Sequence, residues 1–228
     1  MSLRNFRFDS LAETEISAPV NLERAEHNHL FRVLRARTGE IVGLLDGCGW
    51  KGTAQVEKGN ILTLLNKGKA ELPAKRIHLY IAPPRRQKMD SILKQAAELG
   101  VFRIVPVLCE YAVSEPGENA VSGRWKDLLF EACKQSANPY LPQISPLIPF
   151  REAVKDAETN CQFLAFGSVR QDGTFSFESG DAAWFVGPEG GYAPEELSLL
   201  EKIAHPIRLG NYILRVETAA IAGIAKLV

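Results

Sequence analysis

Five short apolar runs recur between residues 76 and 210: RIHLYIA (76–82), RIVPVL (103–108), CQFLAFG (161–167), AAWFVG (182–187) and PIRLG (206–210). They are continuous rather than alternating. A strand with one wet face alternates polar and apolar residues, whereas a strand covered on both faces does not. Helical patterns lie between the runs, over Lys88–Leu99, Arg124–Ala137 and Pro194–Ala204. Parallel strands need long crossovers, and helices supply them while covering the sheet. The order predicts an α/β domain on a parallel sheet.

The residues before this region are punctuated differently. RNFRF (4–8), EIVGLLD (40–46), Trp50–Lys58 and ILTLL (61–65) read as strands, separated by turns at Gly47-Cys48-Gly49 and Gly59-Asn60. One helix is expected over Leu22–Ala36, with Ala25, Leu30, Val33 and Leu34 apolar. A small β-barrel with one helix follows. Polar KGKAELPA (67–74) reads as a linker, giving domains 1–72 and 73–228. The chain closes with a helix over Arg215–Val228 that is apolar on almost every side, and so is expected to be buried by its own sheet or by a second subunit.

The formal net charge is zero, so no whole-molecule field draws the chain to nucleic acid or to an anionic membrane. Such a partner must meet a local patch. No apolar stretch reaches the roughly 18 residues of a spanning helix, and MSLRNFRFDS carries no apolar signal core. The expected location is cytoplasmic, with no membrane partner. Cys48, Cys109, Cys133 and Cys161 are scattered and read as small hydrophobes. His27, His29, His78 and His205 lack metal spacing, so no metal is expected.

The stretch WFVGPEGGYAPEE (184–196) joins an apolar run to a helix start through Gly187-Pro188-Glu189-Gly190-Gly191. Glycine lets backbone groups approach a ligand, and ligands of α/β sheets sit at the carboxyl ends of strands. The turn matches neither phosphate-loop pattern, and Glu189 disfavours a phosphate. It serves equally as a tight turn before a helix begun by Pro194. A second loop, Ile207–Arg215, is unusually apolar and needs a cover, which a flat aromatic ligand would provide. Together the two loops suit an adenosine without phosphate. A sulfonium cofactor fits, because a carboxylate helps a cation.

GPEGG, followed by Leu209-Gly210, Ile213-Leu214-Arg215 and Glu217-Thr218-Ala219, resembles the RsmE family of 16S rRNA uridine-N3 methyltransferases, of the SPOUT class. His29-Leu30 with Val33-Leu34-Arg35, KMDSILKQAAELG (88–100) and EACKQSANPYLPQI (131–144) resemble further family blocks, in the family's order. The resemblance implies a PUA-like N-terminal barrel and a C-terminal domain with a deep trefoil knot. It also implies a homodimer, 16S rRNA or the small ribosomal subunit as partner, and S-adenosylmethionine bound by Phe166, Gly187, Pro188, Glu189, Gly190, Gly191, Leu209, Gly210, Ile213 and Leu214. Two positions depart from it: Tyr212 and Ala137-Asn138 stand where relatives often carry arginine and Gly-Arg.

Uracil N3 carries a proton near neutral pH, so transfer needs a base or a cation that stabilises the ring anion. Arg215 is a candidate for the second role or for a phosphate contact; it could equally pair with Glu217 or Glu189. Glu217 is a candidate base, or a first-turn carboxylate that favours the helix dipole. From Lys67 to Lys94 eight basic residues face two acidic ones. Arg85, Arg86 and Lys88, with Arg32 and Arg35 in the first domain, are the candidate RNA contacts; a solvated charged loop is the alternative for the first three. Ribose 2′-O-methylation and a non-catalytic RNA-binding assembly role remain alternatives.

Overall fold

The computed structural model describes residues 3–117, 120–169 and 176–228. The chain divides into two compact units, Met1–Leu72 with Phe130–Leu141, and Pro73–Leu129 with Pro142–Val228.

The first unit holds β1 (Asn5–Arg7), β2 (Pro19–Val20), β3 (Ile41–Leu45), β4 (Trp50–Glu57) and β5 (Ile61–Lys69), in the order β1-β3-β4-β5-β2. Only the β1–β3 pair is parallel. Alternate residues of the long strands, Ala54 and Val56, Leu62 and Leu64, turn into one core with Phe6, Leu30 and Leu44. Helix α1 (Arg24–Asn28) passes into a π-helical turn at His29–Val33, so the regular helix is shorter than the sequence pattern predicts. Strand β5 also runs into the stretch expected as linker: Lys67, Gly68 and Lys69 pair with Gly52, Lys51 and Trp50. Backbone pairing is indifferent to their polar side chains.

Residues 130–141 complete this unit, beginning inside helix α3 (Trp125–Ser136). The Lys134 ammonium is buried 2.7 Å from both Glu26 and Glu131. Asn5 Nδ2 donates to the Lys134 carbonyl at 2.8 Å, and the Tyr140 hydroxyl donates to the Ala70 carbonyl at 2.6 Å.

The second unit is the expected α/β domain on a parallel sheet. Its strands are β6 (Lys75–Ile81), β7 (Arg103–Leu108), β8 (Gln143–Ile144), β9 (Ile148–Pro149), β10 (Phe163–Gly167), β11 (Gly180–Val186) and β12 (His205–Ile207). They lie in the order β12-β10-β11-β6-β7-β8, with β9 also on β7, and every pair is parallel. On one face, α4 (Phe150–Asn160) and α5 (Pro194–Ile203) cover Tyr80, Val105, Phe166 and Phe185. On the other, α6 (Val216–Leu227) packs on β11, β6 and α2 (Arg86–Glu98). Because β12 adjoins β10, the chain crosses β10 on leaving β11 and crosses back to lay down α6. That path brings the loops after β10, β11 and β12 together.

Candidate active site

The three carboxyl ends open onto one cleft with two lobes. The larger, of about 500 Å³, is bounded by Gly187, Pro188, Glu189 and Gly191 after β11 and by Ile213–Val216 before and at the start of α6. The smaller, of about 170 Å³, is bounded by Gly167–Val169 after β10 and by Leu209, Gly210 and Tyr212. Gly167, Ile213, Leu214 and Ala219 belong to both. Eight of the ten residues expected to bind the cofactor therefore meet here. Gly190 instead lies under Tyr111, whose Cβ would be 3.2 Å from an added Cβ. Phe166 is 2% exposed and packs in the core with Phe185 and Tyr80. Adjacent side chains of a strand point to opposite faces, so Gly167 and not Phe166 reaches the cleft.

Of the two candidate catalytic residues, Arg215 lines the cleft and Glu217 does not. Arg215 lines the larger lobe, is exposed and forms no ion pair among the described residues. Glu217 sits in the first turn of α6, and its Oε2 is buried without a hydrogen-bond partner among the described residues. Lys88 Nζ is 3.5 Å from Glu217 Oε2, within ion-pair reach but without hydrogen-bond geometry. The same ammonium donates to Glu189 Oε1 at 3.2 Å. Lys88, expected at an RNA surface, is thus turned into the cleft.

The other basic residues differ in what they contact. Lys67 donates to the carbonyls of Leu11 and Ala12, and Arg76 pairs with Asp181. Arg85 and Arg86 are exposed at the start of α2, and Arg86 lines a separate cavity of about 390 Å³ with Met89 and Trp125. Arg32 and Arg35 are exposed in the first unit. Among the described residues no cluster of His, Cys, Asp and Glu could hold a metal ion, and no helix is long and apolar enough to cross a membrane. Cys109, Cys133 and Cys161 are buried, and burial pushes each thiol up to about 12.

Gly167–Val169, Tyr192 and Ala219 join the cleft without a specific expectation. Gly167 ends an apolar run, so the strand-end rule that picks out Gly187 also reaches it. Ala219 carries no such signal, because it enters only through the return of α6.

A family of RNA methyltransferase domains matches residues 70–228. The ribosomal RNA small subunit methyltransferase E of Synechocystis sp. is 30% identical, over 97% of this chain and 77% of its own length. The chain belongs to the ribosomal RNA small subunit methyltransferase E family. The methyltransferase E of Aquifex aeolicus is 32% identical over 67% of this chain and 68% of its own. A methyltransferase E structure from Neisseria gonorrhoeae, bound to S-adenosyl methionine, superposes with a TM-score of 0.87 at 27% identity, covering 99% of this chain and 96% of that one.

Proposed function

We propose that the chain transfers a methyl group from S-adenosylmethionine to N3 of a uracil in 16S ribosomal RNA. One observation carries the reading: the glycine turn after β11 and the apolar loop before α6 meet in one cleft at the carboxyl ends of the parallel strands. The residues present fit the donor. Gly191, at φ +78°, and Gly210 both face open space, where an added Cβ would meet no atom within 4 Å. Bare peptide there can hydrogen-bond a nucleoside, Leu209, Ile213 and Leu214 can cover its rings, and Glu189 favours a cation over a phosphate.

When bound, the donor supplies an electrophilic methyl whose bond breaks toward sulfur as the bond to N3 forms, leaving a neutral thioether and the former N3 proton. The Glu217 carboxylate, 27% exposed beside the cleft, accepts that proton and later releases it to water. Arg215, with no carboxylate partner among the described residues, stabilises the charge that develops on the ring oxygens. The cleft aligns the reacting atoms, and alignment can supply about 7–11 kcal/mol.

The finer architecture belongs to the same reading. The first unit acts as a PUA-like barrel that holds RNA through Arg32 and Arg35, while Arg85 and Arg86 add contacts beside the cleft. The return of α6 across β10 closes a trefoil knot. Tyr212 and Ile213, 82% and 86% exposed, are covered by a second copy in a cytoplasmic homodimer.

The test is incubation of the protein with donor and small ribosomal subunits or 16S RNA, followed by mass spectrometry of the nucleosides. One N3-methyluridine is expected. Methyl on a ribose, or no transfer although donor binds by calorimetry, overturns the reading. Arg215→Ala should lower turnover by about a hundredfold or more while leaving donor affinity within about twofold; unchanged turnover removes Arg215 from the mechanism.

A further inference from the structure

We infer that Lys88 is a positioning residue, which holds Glu189 and Glu217 in register beside the cleft and so fixes the carboxylate that takes the substrate proton. The inference rests on the methyl-transfer reading above and departs from the role of Lys88 as a phosphate contact. Three separate elements converge on its ammonium: α2 supplies Lys88, the β11 loop supplies Glu189 and α6 supplies Glu217. The three side chains are 34%, 30% and 27% exposed, so the cluster is sheltered from full solvent screening. Without the ammonium, two like charges would face each other and move apart.

The contacts are unequal. Glu189 receives a hydrogen bond at 3.2 Å, whereas Glu217 is held at 3.5 Å by charge alone. The buried Oε2 faces the ammonium, so Glu217 is fixed in place through that oxygen. Lysine suits such a position, because a compact charge on a flexible stem can serve two carboxylates that approach from different directions. A phosphate on this ammonium would come close to both carboxylates and be repelled, whereas Arg85 and Arg86 lie exposed one turn earlier.

The test compares Lys88→Met, Lys88→Arg, Glu217→Gln and the Lys88→Met/Glu217→Gln double variant, each confirmed folded by its melting temperature. Lys88→Met should lower kcat about 30-fold or more, with KM for RNA within about twofold and an unchanged salt dependence of RNA binding. Lys88→Arg should recover part of the loss. The double variant should be no slower than the slower single variant, because Lys88 acts through Glu217. A crystal structure of donor-free Lys88→Met should show Glu189 and Glu217 swung apart. Losses that multiply in the double variant overturn the proposal, as do carboxylates that stay in place. It fails too if Lys88→Met keeps kcat but raises KM and flattens the salt slope by about one, the mark of a phosphate anchor. Product mapping on the wild-type protein tests methyl transfer to N3 separately; ribose methylation there would sink that reading while the crystal structure still decides the role of Lys88.

Discussion

At Gly223 helix α6 passes so close to the Trp184 indole that an added Cβ would lie 2.0 Å from ring carbon Cε2. Trp184 is fully buried, and its Nε1 donates to the Ala219 carbonyl at 3.3 Å, so the ring cannot step aside. Glycine inside a helix costs about 0.5–1 kcal/mol against alanine; close approach outweighs that cost here. Gly223→Ala should therefore destabilise the protein by about 2–3 kcal/mol despite its better helix propensity. Because Ala219 lines both lobes of the cleft, donor affinity should fall with it. Calorimetry checks both; an unchanged melting temperature would show that α6 relaxes freely. The sequence marks the glycine turn and the apolar loop because both lie at the ends of apolar runs. It does not mark Gly223, because close approach depends on a tryptophan 39 positions away, and it misplaces Phe166 because the face a strand residue takes is not visible from hydropathy when both faces are apolar.

Elements were legible where burial repeats at the spacing of one secondary structure. Strands β6, β7, β10, β11 and β12 and helices α2, α3, α5 and α6 match expected segments, to within two residues at their starts, whereas β8 and β9, two residues each, match none. Helix α4 is absent from the sequence reading although Phe150, Ala153, Val154 and Ala157 are buried at a helical interval; two alanines make a weak apolar stripe. Strand β2 is only two residues long and has no period to read. The placement of residues 130–141 with the first unit depends on tertiary contacts, chiefly that of Lys134. This ammonium is 7% exposed and Glu26 is 14% exposed. Lys134→Met should cost about 3 kcal/mol by leaving Glu26 buried and unpaired, less whatever the remaining hydrogen bond from the Arg7 amide to Glu26 Oε2 retains. Adding Glu26→Gln should recover most of the loss in denaturant melts. A double variant as unstable as the single one would locate the cost in lost packing instead.

Across the whole second unit, the cleft gathers at the carboxyl ends of the strands and a buried polar network gathers nearer their amino ends. His78 Nε2 lies 2.8 Å from Asp181 Oδ1, while Arg76, directly opposite Asp181 on the adjoining strand, pairs with the same carboxylate. Burial lowers the His78 pKa, and Arg103 adds to the effect; attraction to Asp181 and Asp156 opposes it without prevailing. With Nε2 toward Asp181, His78 Nδ1 has no hydrogen-bond partner among the described residues, so protonating the ring would bury an unpaired N–H. The folded state therefore keeps this ring neutral as the unfolded chain takes up a proton below about pH 6.5. The unfolded state then binds more protons, and stability falls as pH falls. Asp181 acts in the same direction over a lower range. Its pKa is held down first by Arg76 and then by His78, so its contribution is present above the ordinary carboxylate range, near pH 4, and is lost as pH falls through the lowered folded value. Melting temperature should accordingly drop in two limbs, the first between about pH 7 and pH 5 and the second below about pH 4. His78→Gln should flatten the first limb and keep the second, and donor affinity at neutral pH should stay within about twofold because the cleft lies at the other end of the strands. A first limb unchanged in His78→Gln would assign the acid sensitivity to another group.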